Sequence, residues 1–294
     1  MKAPRVLFVT GKGGTGKSTV AAAIALACSR RRPTILADLD RRLSAAAMLG
    51  AAPANGTAAK VTNSLEVVAL AARAELDAFI GRIVPIRAIS RRMLRSRTFG
   101  YVTAALPGLE AFLLLERLRI LAGDAALNDH YLVIDAPASG SAIELLSVAA
   151  GVRNISPTGT LNRMADSVAA FLADPKRFGV IITVTPEELA LREALETEAT
   201  MRERLSIPTI AAIMNRVPDS LFDTAELAAL SPLGSHARLA IRRNAAHEAA
   251  LAGARRLNEA GIATVKLPMM FTAAMGMDEL EQLGQVLEAE LLWR

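Results

Sequence analysis

Short runs of apolar, β-branched residues recur along the chain and alternate with stretches of helical spacing. The first run, residues 5–10, is followed by glycines, which is typical of a buried strand that ends in a loop. Further runs of the same character lie at residues 34–39, 65–70, 131–135, 180–185, 208–215 and 262–267. Because helical patterns separate most of these runs, the sequence predicts a mainly parallel β-sheet that is covered by helices on both faces.

Two stretches without a convincing strand interrupt this alternation. Residues 72–128 and 150–178 contain only helical patterns, and we expect them to form a helical subdomain built from two insertions. Residues 219–260 are helical and polar, and we expect them to cover the sheet. The sequence therefore predicts the α/β fold class, with a single domain over residues 1–294 that carries the helical insertions.

The composition agrees with a large buried core. Apolar residues make up 52% of the chain, charged residues 21% and aromatic residues only 4%, which favours helices around a buried sheet over a β-sandwich. The longest apolar run, residues 20–28, is about half the length of a membrane span. Cys28 is the single cysteine, which excludes an internal disulfide, and the N-terminus lacks a signal-peptide layout. We therefore expect a cytoplasmic protein, with peripheral attachment to a membrane as an open alternative.

The strongest motif follows the first predicted strand and opens a helix predicted over residues 17–31. It fits the phosphate-loop pattern G-x-x-x-x-G-K-[ST] and consists of Gly11, Lys12, Gly13, Gly14, Thr15, Gly16, Lys17, Ser18 and Thr19. Glycines allow backbone N–H groups to turn inward around phosphate oxygens, and the helix N-terminus adds partial positive charge. We expect Lys17 to contact the β- and γ-phosphates of ATP and Ser18 to bind Mg²⁺. The motif predicts a P-loop nucleoside triphosphatase (NTPase) fold.

Acidic residues end two of the predicted strands, at the sheet edge where ligands of parallel sheets bind. Asp38 and Asp40 are alternate residues at the end of strand 34–39, so we expect them to share a face. Asp135 ends strand 131–135, where a P-loop protein has the carboxylate that binds Mg²⁺ through water. A helix N-cap is the alternative role for Asp40.

A second lysine, Lys12, distinguishes this phosphate loop from ordinary ones. The Gly-Lys-Gly-Gly-x-Gly-Lys form resembles the deviant Walker A motif of the ParA/MinD/ArsA/nitrogenase iron-protein group of dimeric ATPases. The resemblance implies that Lys12 crosses a dimer interface and stabilises charge on the phosphoryl group of the partner's nucleotide. A solvated loop lysine is the alternative.

The resemblance covers most of the chain and is to the bacterial ArsA/GET-type branch, the anion-transporting-ATPase-like proteins. It implies that Asp40 orients the attacking water in switch I, and that Asp38 holds an outer-shell water of Mg²⁺. The segment that begins at Asp135 and ends at Gly140 resembles switch II. In that segment Asp135 would bind Mg²⁺ through water and the Gly140 amide would sense the γ-phosphate.

Two further positions resemble nucleotide contacts of the same branch. Asn215 ends strand 208–215 and matches the residue that reads the adenine edge, with an ordinary strand-ending Asn as the alternative. Pro268 lies in a segment, beginning at Lys266, that matches the loop covering the adenine. Arg41 and Arg42 stand where the family has a Pro and its neighbour, which is a departure from the switch I pattern.

The single cysteine separates the chain from metal-dependent relatives. Arsenite sites need several soft thiolates, and the zinc clasp of the eukaryotic targeting ATPase and a bridging iron–sulfur cluster need cysteine pairs. We therefore expect no zinc, arsenite or Fe–S site. We expect a homodimer, or a heterodimer with a related ATPase, that forms through the nucleotide face.

An arginine-rich segment lies in the first insertion, over residues 82–97, and contains no acidic residue. Its arginines are Arg82, Arg87, Arg91, Arg92, Arg95 and Arg97. A basic amphipathic helix binds a membrane surface, an acidic partner or DNA, and a solvated surface helix is the alternative.

Apolar faces in the two insertions are candidates for a groove that binds a hydrophobic helix, although such stripes more often belong to the core. The first contains Leu109, Phe112, Leu113, Leu115, Leu118 and Leu121, and the second contains Met164, Val168 and Phe171. The main functional hypothesis is an ATP-hydrolysing dimeric switch that binds a hydrophobic-helix client or a membrane-associated partner. The alternatives are a ParA/MinD-like positioning ATPase acting on DNA or membrane, and a regulatory subunit of a heteromeric ATPase complex.

Overall fold

The structure is a computed structural model that describes residues 4–40, 42–54, 56–83, 108–123, 129–155, 159–230, 234 and 238–292. Arg41 and residues 84–107 lie outside the described residues, as does the Arg82 side chain. The expectations for the arginine-rich segment therefore concern a part of the chain that is not described below.

Within the described residues, the strands form one eight-stranded sheet in the order β3-β4-β2-β5-β1-β6-β7-β8. The strands are β1 (Val6–Gly11), β2 (Thr34–Asp38), β3 (Ala58–Lys60), β4 (Leu65–Ala69), β5 (Tyr131–Asp135), β6 (Phe178–Val184), β7 (Thr209–Val217) and β8 (Thr264–Pro268). All neighbouring pairs are parallel except β3 and β4, which are antiparallel. The mainly parallel sheet is confirmed, and every predicted strand is present with its ends shifted by two residues at most.

The helices follow the strands in the order that the sequence predicts. They are α1 (Lys17–Ser29), α2 (Ser44–Met48), α3 (Ala72–Ile83), α4 (Leu109–Gly123), α5 (Ser139–Ile155), α6 (Thr160–Ala173), α7 (Glu188–Glu203), α8 (Thr224–Leu230), α9 (Arg238–Glu259) and α10 (Met277–Leu287), with a π-helical turn at Glu288–Leu292. In the part of the chain that the structure describes, every helix is too short or too polar to cross a bilayer.

The sheet separates two hydrophobic cores, because successive side chains of a strand point to opposite faces. In β1, Leu7 and Val9 pack with α1, α2 and α10 on one face. Val6 and Phe8 pack on the other face with α3 to α7 and α9. Helices on both faces are therefore confirmed. Because helices cover both faces, we expect a ligand to bind at the carboxyl ends of the strands.

The helix after the phosphate loop, α1, is enclosed on both sides by the sheet and α10. Helix α10 approaches the backbone of α1 closely at Gly284, because a Cβ there would lie 3.2 Å from the Ala23 carbonyl oxygen. Cys28 is buried in this helix, and burial raises the pKa of its thiol. The enclosed helix holds the phosphate loop, which precedes its first turn, in a fixed place.

The apolar stripes of the insertions belong to the core. In α4, Leu109, Phe112, Leu113, Leu115 and Leu118 are at most 5% exposed, and the half-buried Leu121 packs against the same core. In α6, Val168 and Phe171 are buried as well, while Met164 borders an open cavity. Val168 and Phe171 therefore do not line a groove, because their side chains are buried between the helices and the sheet.

Candidate functional site

The phosphate loop connects the carboxyl end of β1 to the N-terminus of α1. Gly11 ends the strand, and a Cβ there would lie 2.1 Å from the Thr183 carbonyl oxygen of β6, so only glycine fits. Among the described residues, no side chain caps α1, and its first turn has no acidic residue. The N–H groups at this helix end are therefore available to an anion, which the helix dipole favours.

The loop folds around the backbone carbonyl of Lys12. This oxygen accepts hydrogen bonds from the Thr15 N–H at 3.3 Å and the Thr15 hydroxyl at 2.9 Å. The Lys17 ammonium donates to the same oxygen at 3.4 Å, so its charge lies inside the loop. Gly13 and Gly14 are exposed at the tip of the loop. Phosphate oxygens and the Lys12 carbonyl would compete for the Lys17 ammonium.

Asp135 is almost completely buried at this edge, at 1% exposure. It lies opposite Asp38 in the register of β2 and β5, and neither of its carboxylate oxygens has a hydrogen-bond partner among the described residues. Burial raises the pKa of Asp135 to about 7. The charges of Asp38 and Asp40 also raise this pKa, while the Lys17 charge lowers it, as does the nearby Ser18 hydroxyl, which does not meet the geometry of a hydrogen bond to Asp135. These five residues therefore form one electrostatic group.

Asp38 and Asp40 organise the segment that connects β2 to α2. Asp38 is fully buried, and its two oxygens accept the backbone N–H groups of Asp40 at 3.0 Å and Ala46 at 3.1 Å. Burial raises the pKa of Asp38. Asp40 is half-buried and accepts hydrogen bonds from the Arg42 N–H at 3.2 Å and the Ser44 hydroxyl at 3.0 Å. Asp40 is not the N-cap of α2, because Leu43 occupies that position and Asp38 binds within the first turn.

These groups fit a magnesium ion. A buried carboxylate without a partner is unfavourable, and a neighbouring cation compensates it. Within the described ranges, no three His, Cys, Asp or Glu side chains are placed to hold a metal by themselves. Mg²⁺ keeps several waters and takes phosphate oxygens as ligands, so a hydroxyl from Ser18 and water-mediated contacts to Asp38 and Asp135 suit its chemistry.

Lys12 lies against α7 of its own chain. Its ammonium is 3.6 Å from a carboxylate oxygen of Glu193, and both side chains are slightly more than a third exposed. The other oxygen of Glu193 accepts a hydrogen bond from Ser139, at the start of α5. Sequence reasoning missed Glu193, because one glutamate in an acidic helix carries no local signal of a contact so distant along the chain.

The segment between β5 and α5 contains the predicted switch II residues. The Thr10 hydroxyl of β1 donates to the Pro137 carbonyl oxygen at 2.8 Å, so this segment is fastened to the strand before the phosphate loop. Ser139 is buried, and Gly140 is exposed in the first turn of α5. Thr10 and Glu193 thus hold this segment at Pro137 and Ser139, a role that the sequence did not indicate for either residue.

A cavity of about 230 Å³ lies beside the phosphate loop, where β7 and β8 end. Asn215 and Pro268 both line it, together with Thr19 at the start of α1. The Asn215 amide nitrogen already donates to the Thr15 carbonyl oxygen at 2.9 Å. The structure therefore brings together the two residues that the resemblance assigns to the base, and it adds a contact between one of them and the phosphate loop.

Comparisons with known proteins agree with the motifs. The sequence profile of the family described as anion-transporting ATPase matches residues 4–157, which is more than half of the chain. The ATPase BagA of Mycobacterium tuberculosis is 26% identical over 222 residues, which cover 72% of this chain and 65% of BagA. The Mycobacterium bovis protein Mb3704, which carries a provisional ATPase name, matches to the same extent. The match thus spans just under two thirds of the length of these relatives. The chain belongs to the anion-transporting ATPase family.

Proposed function

We propose that this chain binds ATP with Mg²⁺ at the edge formed by β1, β2 and β5, and hydrolyses it. The observation that carries the proposal is the position of Asp135, whose buried and partnerless carboxylate lies beside the phosphate loop and opposite Asp38. A packed interior tolerates such a group poorly unless a ligand completes it. Family membership supports the same activity.

Each residue at this edge has a distinct role in the proposed reaction. Lys17 and the N-terminus of α1 bind the β- and γ-phosphates, with Ser18 and Asp135 on the metal side. Bound Mg²⁺ would neutralise negative charge that develops on the phosphate oxygens. Asp40, at the rim of the buried group, orients the attacking water. Gly140 offers its backbone N–H to the γ-phosphate from the start of α5.

Steady-state phosphate release with Mg-ATP tests this activity. The Lys17→Ala variant removes the ammonium from the loop and should lower kcat/KM by roughly 10²-fold or more, as loss of one preorganised charge-stabilising group does. Lys60→Ala, which truncates an exposed lysine on the edge strand β3, is the matched control and should retain full activity. Equal activity of the two variants would contradict the proposed site.

We further infer that two copies act together, with Lys12 serving the partner's nucleotide. Two features support this: Lys12 is partly exposed, and its ammonium extends to an ion pair with Glu193 on α7. Lys12→Ala should abolish ATP-dependent dimerisation in sedimentation velocity while nucleotide affinity is retained. Hydrolysis by the isolated chain that is lost in Lys12→Ala would exclude a purely regulatory subunit. An unchanged dimer and unchanged turnover in Lys12→Ala would refute the role in trans.

The output of this switch, in our proposal, is binding of a hydrophobic-helix client by the helical region. A cavity of about 480 Å³ between α3, α4 and α6 supports it: Phe79, Ile120 and Met164 line its apolar part. The charged residues Glu75, Glu116 and Arg117 also line it. The test uses a fluorescent apolar helical peptide and the Asp40→Asn variant loaded with ATP. Ile120→Asp should weaken peptide binding, and Leu189→Asp, at an exposed position on α7, should not. Equal binding by both would show that this cavity takes no client.

A further inference from the structure

Asn215 lies at a distortion of the sheet. The pairing of β7 with β8 shifts register between Met214 and Val217. Within that interval Arg216 has a left-handed backbone, with φ of 59°. An arginine in this region costs free energy, and such bulges commonly redirect a side chain toward a functional site. Here the redirected side chain is that of Asn215, which turns toward the phosphate loop.

Both polar atoms of the Asn215 side chain are engaged. The oxygen accepts the Arg216 backbone N–H at 2.9 Å, and the nitrogen donates to the Thr15 carbonyl oxygen at 2.9 Å. These two bonds also fix which atom is oxygen and which is nitrogen, because the carbonyl requires a donor and the N–H requires an acceptor. Asn215 is only 5% exposed, so its bond to the loop is shielded from water.

The bond reaches the peptide that leads into the first turn of α1. Thr15 precedes Gly16, which has φ of 91° and accepts the first helical hydrogen bond, from the Val20 N–H at 3.0 Å. A Cβ at Gly16 would lie 2.3 Å from the Asn215 nitrogen. The loop is therefore held from two sides, by the Lys12 carbonyl within it and by Asn215 from β7, which lies beyond β6 in the sheet.

We infer that Asn215 is a positioning residue for the phosphates, which acts by holding the Thr15–Gly16 peptide of the phosphate loop. The inference rests on the proposed function only in requiring that the loop binds a polyphosphate. It differs from a role in reading the base, because a positioning residue affects ligands that have no base. It also gives Gly16 a second reason to be glycine besides its backbone angle: Asn215 occupies the space of a side chain.

The test compares Mg-tripolyphosphate, which lacks a base, with Mg-ATP by calorimetry. Asn215→Ala should weaken both ligands by the same factor, about tenfold, as loss of a buried hydrogen bond to a positioned group does. Asn258→Ala is the matched control, since Asn258 also bonds a backbone N–H, that of Thr264, and lies away from the loop. If Asn215→Ala does not fold, Asn215→Leu keeps the branched outline of the side chain and removes the same bond.

A double-mutant cycle separates positioning from general damage. Gly16→Ala should cost less polyphosphate affinity in the Asn215→Ala background than in the unchanged chain, because the atom that its Cβ meets is gone. Additive effects would overturn the inference, and so would an Asn215→Ala variant that loses affinity for ATP alone or for neither ligand. If the unchanged chain bound no polyphosphate at all, the proposed function would fail together with this inference.

Discussion

The carboxyl ends of the strands and the helical region of α3 to α6 differ in how fully their buried side chains find partners within the chain. At the edge, Asp135 is buried without a hydrogen-bond partner, and burial raises its pKa. In the helical region, Phe112 and Phe171 are buried in a continuous core that includes residues of the sheet. The strand ends thus leave a buried polar group without a partner, whereas the helical region buries most of its large apolar side chains.

This difference locates function more reliably than hydrophobicity does. An apolar stripe such as that of α4 finds its partners within the chain, so its presence says little about a client. A buried carboxylate without a partner destabilises the folded chain unless a bound ligand compensates it, so its presence points to a ligand. We therefore expect substitutions at the edge to change chemistry and substitutions in the helical core to change stability.

The largest expected effect is on catalysis at the edge. Asp40→Asn keeps the shape that accepts the Arg42 N–H but removes the charge that would orient water. Single-turnover hydrolysis should slow by about 10²- to 10⁴-fold, as for loss of a general base, while ATP affinity and the midpoint of urea unfolding change little. Hydrolysis at an unchanged rate would remove Asp40 from the reaction.

The helical core should show the opposite profile. Phe112→Ala truncates a fully buried ring and should reduce the free energy of unfolding by about 3–5 kcal/mol, measured in urea. Phe79→Ala, in the neighbouring helix, truncates a half-buried ring at the cavity and should cost clearly less. Mg-ATP affinity should remain unchanged in whichever of the two variants folds. Similar losses for both would mean that the cavity is as tightly packed as the core.

A third test measures the free-energy cost of the unsatisfied group itself. The pKa of Asp135 is raised from an ordinary 3.8 to about 7, so its contribution to stability is full below about pH 4 and is lost as the pH rises through 7. Asp135→Asn carries no charge to bury. Without Mg²⁺, the free energy of unfolding of this variant should exceed that of the unchanged chain by on the order of 2–4 kcal/mol at pH 8. Near pH 4 the two free energies should converge.

The measurement is urea unfolding across this pH range in the presence of a chelator. Asp77→Asn, on the exposed surface of α3, is the control and should leave the pH dependence unchanged. A stability difference between Asp135→Asn and the unchanged chain that stayed constant from pH 4 to 8 would show that Asp135 is not penalised by burial. The same variant should also lose hydrolysis, which would separate stability from activity at one residue.

Local sequence patterns predicted the strands, the sheet and the phosphate loop, because alternation and glycine spacing are local consequences of backbone geometry. They missed β3, since Ala58–Lys60 is a short, largely exposed edge strand without apolar alternation. They also missed Glu193 and the contact between Asn215 and Thr15. Those contacts join elements that are far apart in the chain, and the local sequence around either residue does not indicate which distant residue it contacts.

The smallest expected effect concerns the contact between the phosphate loop and α7, which packs in the same core as the helical region. Glu193 of α7 pairs with Lys12 of the phosphate loop, but both are partly exposed, so the pair contributes little. If Lys12 must leave Glu193 to serve a partner's nucleotide, Glu193→Gln should strengthen ATP-dependent dimerisation about two- to fivefold, which matches the energy of an exposed ion pair.

The control is Glu196→Gln, which breaks a similar pair with Arg192. Glu196 lies three residues further along the same helix, and this variant should leave dimerisation unchanged. Sedimentation at several protein concentrations with a non-hydrolysable ATP analogue resolves a difference of this size. Weaker dimerisation in Glu193→Gln would mean that Glu193 guides Lys12 toward the interface and does not hold it back.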